Sequence, residues 1–281
     1  MKCVFVSGVS SGIGYDAVRY LTSKGYFVFG SVRKPADKQR LQNDFPERFK
    51  CVLFDALDRG AIETAAAEVE SVLSGQLLTC LVANAGIAVP GPLEHVDDDT
   101  FDHQLLVNVS GTRNVINAFL PMLGASLSRA KNQKPGKIIL NSSISGVLNT
   151  PINGSYCISK HAIESLGEVY RRELYPFGID VLSIQSGPIQ SEIWRKNIGA
   201  LDQFKETEYA TMVEKTNSIL IAGQESAQPA EAISKLIEKI IETKRPKLAY
   251  IVHSRPWFIR LLSTWLPRRF VDRLIVKKLT T

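Results

Sequence analysis

The stretch Val4-Phe-Val-Ser-Gly-Val-Ser-Ser-Gly-Ile-Gly14 admits two incompatible readings. Its core GVSSG fits the G-x-S-x-G elbow that presents a nucleophilic serine, here Ser10, where a strand turns into a helix. Read as Gly8-x-x-x-Gly12-x-Gly14, the same residues form a turn that lets a pyrophosphate approach a helix N-terminus. Both readings require a strand before and a helix after, so the rest of the chain decides.

Short apolar runs alternate with longer segments of helical period, the signature of βαβ units and a parallel sheet. Strands are expected over 2–7, 26–32, 49–54, 78–83, 137–141, 179–184 and 248–252. Helices are expected near 13–24, 59–73, 99–123, 154–175, 202–218 and 229–242. Runs such as VLF, IIL and DVLSI suit strands covered on both faces. No linker divides the chain. The expected fold is α/β, a single Rossmann-type doubly wound parallel sheet of about seven strands with helices on both faces. Its catalytic body spans 1–254, a substrate segment lies near 192–225, and a helical tail occupies 255–281.

At 281 residues, 44% hydrophobic and 22% charged, the composition is that of an ordinary globular protein. Strand-like sequence from Lys2 leaves no room for a signal peptide, and no run is long enough to span a membrane. Cys3, Cys51, Cys80 and Cys157 form no C-x-x-C pair, so neither zinc nor a disulfide framework is expected, which suits a cytoplasmic protein. Residues 244–281 hold ten of the 34 Lys and Arg but one of the 28 acidic residues, a net +9 that leaves the remainder at −3. No nucleic-acid-reading module accompanies that charge, and no nucleic-acid partner is expected.

An elbow serine needs a histidine and an acid, and none of His95, His103, His161 or His253 has the local context of a general base. Ser10 also follows the first strand, whereas hydrolase elbows follow a later one. The cofactor turn finds support elsewhere. Tyr156 and Lys160 stand four apart in Tyr156-Cys-Ile-Ser-Lys160 and share a helix face, with Ser143 thirteen residues before the tyrosine. A lysine ammonium nearby favours the phenolate and lowers the tyrosine pKa toward the working range. A serine hydroxyl can then bind the substrate oxygen while hydride moves.

With these motifs the sequence resembles the short-chain dehydrogenase/reductase family over residues 2 to 191. The family pattern T-G-x(3)-G-I-G reads Ser7-Gly-Val-Ser-Ser-Gly-Ile-Gly14, N-A-G reads Asn84-Ala-Gly86, and the helix asparagine appears in Asn108-Val-Ser-Gly111. The serine motif reads Asn141-Ser-Ser-Ile-Ser-Gly146, and the P-G motif Ser186-Gly-Pro-Ile-Gln-Ser191. The resemblance implies Tyr156 as general acid/base, Ser143 polarising the substrate oxygen, and Lys160 tuning the tyrosine and bonding the nicotinamide ribose. It implies that the main chain of Asn108 holds a water linking Lys160 to solvent. The cofactor is expected against Gly8, Ser10, Ser11, Gly12, Ile13, Gly14, Asp55, Asn84, Ala85, Gly86, Gly187, Ile189 and Ser191.

The second strand ends Val28-Phe-Gly-Ser-Val-Arg-Lys34 with no acid. Arg33 and Lys34 suit a 2′-phosphate, so NADP(H) is preferred, with NAD(H) as the alternative. The resemblance extends to hydroxysteroid and retinol dehydrogenases, implying a bulky apolar ketone or alcohol and a homodimer or homotetramer assembled through the helices of Asn108 and Tyr156. Ile193, Trp194, Phe204, Tyr209 and Met212 either line its pocket or pack a helix. A non-catalytic dinucleotide-binding regulator is the alternative function. In the tail, Trp257, Phe258, Leu261, Leu262 and Trp265, then Phe270, Val271, Leu274 and Ile275, form apolar stripes among basic residues. Such a tail serves as a peripheral membrane contact, a lid or a subunit interface, or packs on its own chain.

Overall fold

The computed structural model describes residues 1–126, 133–190, 193, 197 and 199–280. Seven strands, β1 (Cys3–Val6), β2 (Phe27–Val32), β3 (Phe49–Leu53), β4 (Cys80–Ala83), β5 (Lys137–Asn141), β6 (Asp180–Ser186) and β7 (Ala249–Val252), form one sheet. All pairings are parallel, in the order β3-β2-β1-β4-β5-β6-β7. The chain winds outward from β1 to β3, returns to β4 beside β1, and winds the other way. The reversal lies between β1 and β4, where ligands of such sheets bind beyond the carboxyl ends of the strands.

Strand alternation sends Phe5 to one face and Val4 and Val6 to the other. Phe5 packs with Ile62 and Val69 of α3 (Arg59–Leu73) and with Phe119 of α5 (Thr112–Phe119), its ring centroid 4.0 Å from that of Phe119. Val4 and Val6 pack against Ala17, Val18 and Leu21 of α1 (Gly12–Ser23) and Ile233 and Ile237 of a helix over Glu231–Glu242. Each face therefore carries a core of its own, and the all-apolar strand runs follow from burial on both sides. Lys137 opens β5 and buries its Nζ at the C-terminus of the Glu231–Glu242 helix. There it donates to the carbonyl oxygens of Ile240 (2.7 Å), Ile241 (2.9 Å) and Thr243 (2.6 Å). Carbonyls at a helix end lack intrahelical donors, and a cation also suits the dipole there.

Two expected helices are corrected and one unexpected helix is added. Helix α2 (Pro35–Asp44) has no counterpart in the sequence reading, because Leu41 is its one buried residue and no apolar stripe marks it. The helix expected over 99–123 is broken into α4 (Asp98–Leu105), a π-helical turn (Leu106–Gly111), α5 and a 3₁₀ turn (Pro121–Leu123). The helix expected over 202–218 starts later, as α7 over Ala210–Glu225, behind a 3₁₀ turn at Asp202–Phe204.

Counting α6 (Gly154–Glu173) and α8 (Glu231–Glu242), the tail adds α9 (Pro256–Arg260), continued by a π turn over Leu261–Trp265, and α10 (Arg268–Thr280), which packs against α7. None of the described helices is long and apolar enough to cross a membrane.

Candidate functional site

The opening stretch is a glycine turn between β1 and α1. Gly8 and Gly12 adopt φ of +70° and +56°, a region that L side chains rarely enter. A Cβ on Gly14 would strike the Gly8 carbonyl, and one on Gly8 would lie 2.9 Å from Ala85 Cα. The turn is held from outside. Ser7 Oγ accepts from the amides of Asn84 (2.9 Å) and Ala85 (3.0 Å), while Asn84 Nδ2 donates to the carbonyls of Ser7 (2.9 Å) and Gly8 (3.0 Å). Ser7 was not singled out from the sequence, although it stands in the turn motif.

Ser11 lies extended before α1 and makes no side-chain cap, and the first helical amide to find a carbonyl is that of Tyr15, bonded to Ser11. The amides of Gly12, Ile13 and Gly14 at the start of α1 therefore point to where an anion fits, and no acid occupies that first turn. The cradle fits a dinucleotide pyrophosphate: it offers unpaired amides at a helix start with no acid nearby, in a turn whose backbone only glycine tolerates. Beyond the end of β2, exposed Arg33 lies 3.8 Å from Asp55, whose carboxylate accepts from the Leu57 amide at 2.9 Å. Lys34 is exposed beside it. Arg40 of α2, unremarked in the sequence, donates to the Ser10 carbonyl at 2.7 Å.

The elbow reading fails on chemistry and not on position. β1 lies inside the sheet, paired on both edges, so first place in the chain is no argument against an elbow. The histidines, however, are engaged elsewhere: His95 with Glu208, His161 with the Cys157 carbonyl and His253 with the Arg255 amide, while His103 sits exposed on α4.

Across the sheet reversal, α6 presents Tyr156 and Lys160 one turn apart, both buried. Ser143 Oγ accepts from the Ser145 amide at 3.1 Å and donates to the Ser186 carbonyl at 3.4 Å, and it stands near enough to the Tyr156 hydroxyl to pull the phenol's pKa down. Lys160 Nζ lies 5.6 Å from the Tyr156 ring centroid and donates to the Asn141 carbonyl at 2.8 Å. Asn141 Nδ2 in turn donates to Asn84 Oδ1 at 2.8 Å, tying this group to the glycine turn. Ser142 Oγ is buried without a partner.

Asn108 sits in the π-helical turn between α4 and α5, a distortion common at functional sites. Its Oδ1 accepts from the Ile87 amide at 2.8 Å, and its Nδ2 donates to the Ile87 carbonyl and to Ser159 Oγ, both at 2.9 Å. With its side chain spent on that brace, Asn108 locks the Asn84–Gly86 loop to α6. Gly86 keeps the space open, since a Cβ there would lie 3.1 Å from Asn108 Oδ1. Ser159, which joins Asn108 to α6 and also bonds the Tyr156 carbonyl, was not picked out from the sequence.

The electrostatics depart from expectation in one respect. Burial pushes the Tyr156 phenol up from its ordinary pKa, against the downward pull of the Ser143 hydroxyl, so the expected depression by Lys160 is not the outcome of this geometry. The reason is distance and desolvation: Lys160 bonds a carbonyl and not the phenol. Burial also lowers Lys160 itself to about 8, opposed by the negative charge of Glu164.

The cleft is closed on its far side by the chain after β6. Gly187, Ile189 and Ile193 line it together with Ile13, Gly86, Ser143 and Tyr156. Ile189 is buried and bridged to Gln228. Ser191 and Trp194 lie outside the described residues. Phe204 and Val213 form a small core with Ile152 and Leu201, flanked by Tyr209 and Met212, so that these side chains pack on one another. His95 and Tyr209 bring the loop after β4 to this segment through Glu208 and Glu94.

The family model for short chain dehydrogenases matches residues 2–200. An NADPH-dependent 3-dehydrocapnine reductase from Ornithobacterium rhinotracheale is 34% identical over 279 residues, covering 99% of this chain and 98% of that protein. Human 17-beta-hydroxysteroid dehydrogenase type 1 is 29% identical over 92% of this chain and 79% of its own length. In structure, a short chain dehydrogenase from Burkholderia cenocepacia J2315, solved in complex with NADP, superposes with a TM-score of 0.74 at 22% identity, over 98% of this chain and 99% of that one.

Proposed function

The chain belongs to the short-chain dehydrogenase/reductase family, and from that premise we propose that it is an NADPH-dependent reductase of a ketone carried by a bulky apolar molecule. The observation that carries the reading is the gathering of Ser143, Tyr156 and Lys160, all buried, on one cleft at the reversal of the sheet, tied through Asn141 and Asn84 to the glycine turn.

NADPH, when bound, supplies the hydride. In this reading Gly8, Gly12 and Gly14 would admit the pyrophosphate to the N-terminus of α1, and Asp55, Asn84 to Gly86, Gly187 and Ile189 would hold the rest of the cofactor, with Ser191 joining them by the family resemblance alone. Arg33 and Lys34 hold the 2′-phosphate with Ser10 and Ser11 nearby, because a guanidinium forms bidentate bonds to phosphate. The Ornithobacterium relative is NADPH-dependent, which supports that choice.

Ser143 donates a hydrogen bond to the substrate carbonyl oxygen and polarises it. Tyr156 transfers its proton to that oxygen as hydride reaches the carbon, leaving an alcohol and a phenolate. At neutral pH Tyr156 is in the protonated form that reduction requires, and its raised pKa makes it a weaker acid than an ordinary phenol. Lys160 would hydrogen-bond the nicotinamide ribose and be replenished with protons past Asn108, which lies in the π turn.

The apolar substrate is supported by Ile193, which lines the cleft without a place among the cofactor contacts. It is also supported by the human relative, whose substrates are hydroxysteroids. Subunit association through α4–α5 and α6 is supported by Leu106, Ile158 and Val169, which leave 49%, 42% and 45% of their surface exposed there.

Screening 3-oxo lipids and oxosteroids for NADPH consumption, with Tyr156→Phe alongside, tests the reading. Turnover abolished by Tyr156→Phe supports it. Equal turnover by the variant refutes the role of Tyr156.

A further inference from the structure

We propose that the C-terminal helical segment, residues 255–280, is a docking surface for an anionic lipid bilayer. The argument begins with how its apolar residues are divided. The faces that pack inward are anchored by Ile259 (6% exposed), Val271 (7%) and Leu279 (6%), and in α10 the residues Val271, Ile275 and Leu279 recur every four positions. The tail is thus already seated on the body of its own chain. A second apolar set takes no part in that seating. Trp257 is 65% exposed, Trp265 75%, Phe270 50% and Leu274 42%, and Trp257 packs edge-on against exposed Phe258.

The stripe read from the sequence therefore splits. Val271 and Ile275 turn inward, whereas Phe270 and Leu274, one residue earlier and about 100° around the helix, face solvent. Helix α7, against which α10 packs, adds Ile219 and Ile221, 40% and 44% exposed. Large exposed aromatics concentrated on one short segment mark an interaction surface.

Charge selects the occupant. Residues 255–281 carry seven Lys and Arg and the single acid Asp272. Arg255, Arg260, Arg268, Arg269, Arg273, Lys277 and Lys278 are all exposed beside the aromatics. Tryptophan at the headgroup level with arginine and lysine around it is the composition of helices that lie in a bilayer interface, and the basic residues are drawn to anionic lipid. A second copy of this surface would bring like charge against like charge.

The purified full-length protein is tested by flotation with vesicles of phosphatidylcholine alone and with about one-third phosphatidylglycerol, at low and high salt, and by tryptophan emission. The wild type should partition at least tenfold more strongly onto the anionic vesicles, with a blue-shifted emission, and should be released by salt. Trp257→Ser with Trp265→Ser should lose most of that binding while NADPH affinity stays unchanged. Arg268→Gln, Arg269→Gln and Arg273→Gln together should remove the preference for anionic lipid. Absence of binding to either vesicle overturns the proposal, as does binding that the tryptophan variant retains in full. A dimer of the wild type that the tryptophan variant disperses, without lipid binding by either, overturns it in favour of a subunit contact.

Discussion

Lys160 Nζ is hydrogen-bonded at 2.8 Å to the Asn141 carbonyl and stands 5.6 Å from the ring centroid of Tyr156. The two side chains most directly tied to the proposed chemistry therefore communicate through space and not through a shared hydrogen bond. Their removal should have different consequences.

Tyr156→Phe removes the proton donor and leaves the ring in place. Reduction should fall by roughly 10²- to 10⁴-fold, the usual scale of general acid catalysis, with NADPH affinity within about twofold of wild type. Ser143→Ala should act in the same direction. A kcat that survives Tyr156→Phe, measured at saturating NADPH, would contradict the assignment.

Lys160, lowered to about 8, is charged at neutral pH and loses its proton above it. The rate of reduction should therefore decline as pH rises through about 8. Stability runs the opposite way. The ordinary lysine pKa of 10.5 in the unfolded chain lies above the folded one, so between about pH 8 and 10.5 the unfolded state binds more protons and this group favours folding increasingly as pH rises. Urea midpoints of wild type and Lys160→Met across that window should converge toward the alkaline side relative to their difference at pH 7, provided the substitution packs. A Lys160→Met profile parallel to wild type would remove Lys160 as the source.

Arg33→Ala should weaken NADPH and leave NADH nearly unchanged. A charge-assisted hydrogen bond contributes about 1.5–3 kcal/mol, or roughly 10- to 100-fold in affinity. Because Arg33 is exposed and stands 3.8 Å from Asp55, its contribution should also shrink with added salt. Isothermal titration with both cofactors checks this, and equal losses for the two would exclude 2′-phosphate recognition by Arg33.

Lys137→Met should cost about 3 kcal/mol of stability, since the carbonyls of Ile240, Ile241 and Thr243 lose a buried charged donor. The lysine lies far along β5 from the cleft end, so activity per folded molecule should be unaffected. Denaturant unfolding checks the first statement and active-site titration the second.

What was legible in the sequence was whatever burial or backbone geometry writes into residue type. Strand runs such as those around Phe5 and Ile139 are apolar throughout because both faces are covered, and Gly8, Gly12 and Gly14 stand where a side chain cannot. The Tyr156–Lys160 spacing is one helical turn in both sequence and structure. Helix α2 was invisible because a helix with one buried residue carries no periodic signal, and the π turn at Leu106–Gly111 leaves no mark on composition. Ser7 and Ser159 escaped because their roles are hydrogen bonds to residues about 77 and 51 positions away, which no local pattern encodes. The pKa of Tyr156 was misjudged for a related reason: the spacing to Lys160 is written in the sequence, but the desolvation that outweighs it is a property of the fold.

The central claim is that the glycine turn and Arg33 bind NADPH for use by Tyr156. The most direct measurement is a titration of the wild-type protein with NADPH and, separately, NADH, followed by reduced-nicotinamide fluorescence. The account predicts saturable binding of both with NADPH at least tenfold tighter. Tighter NADH would contradict the phosphate site, and folded protein that binds neither would contradict the reading of the turn itself.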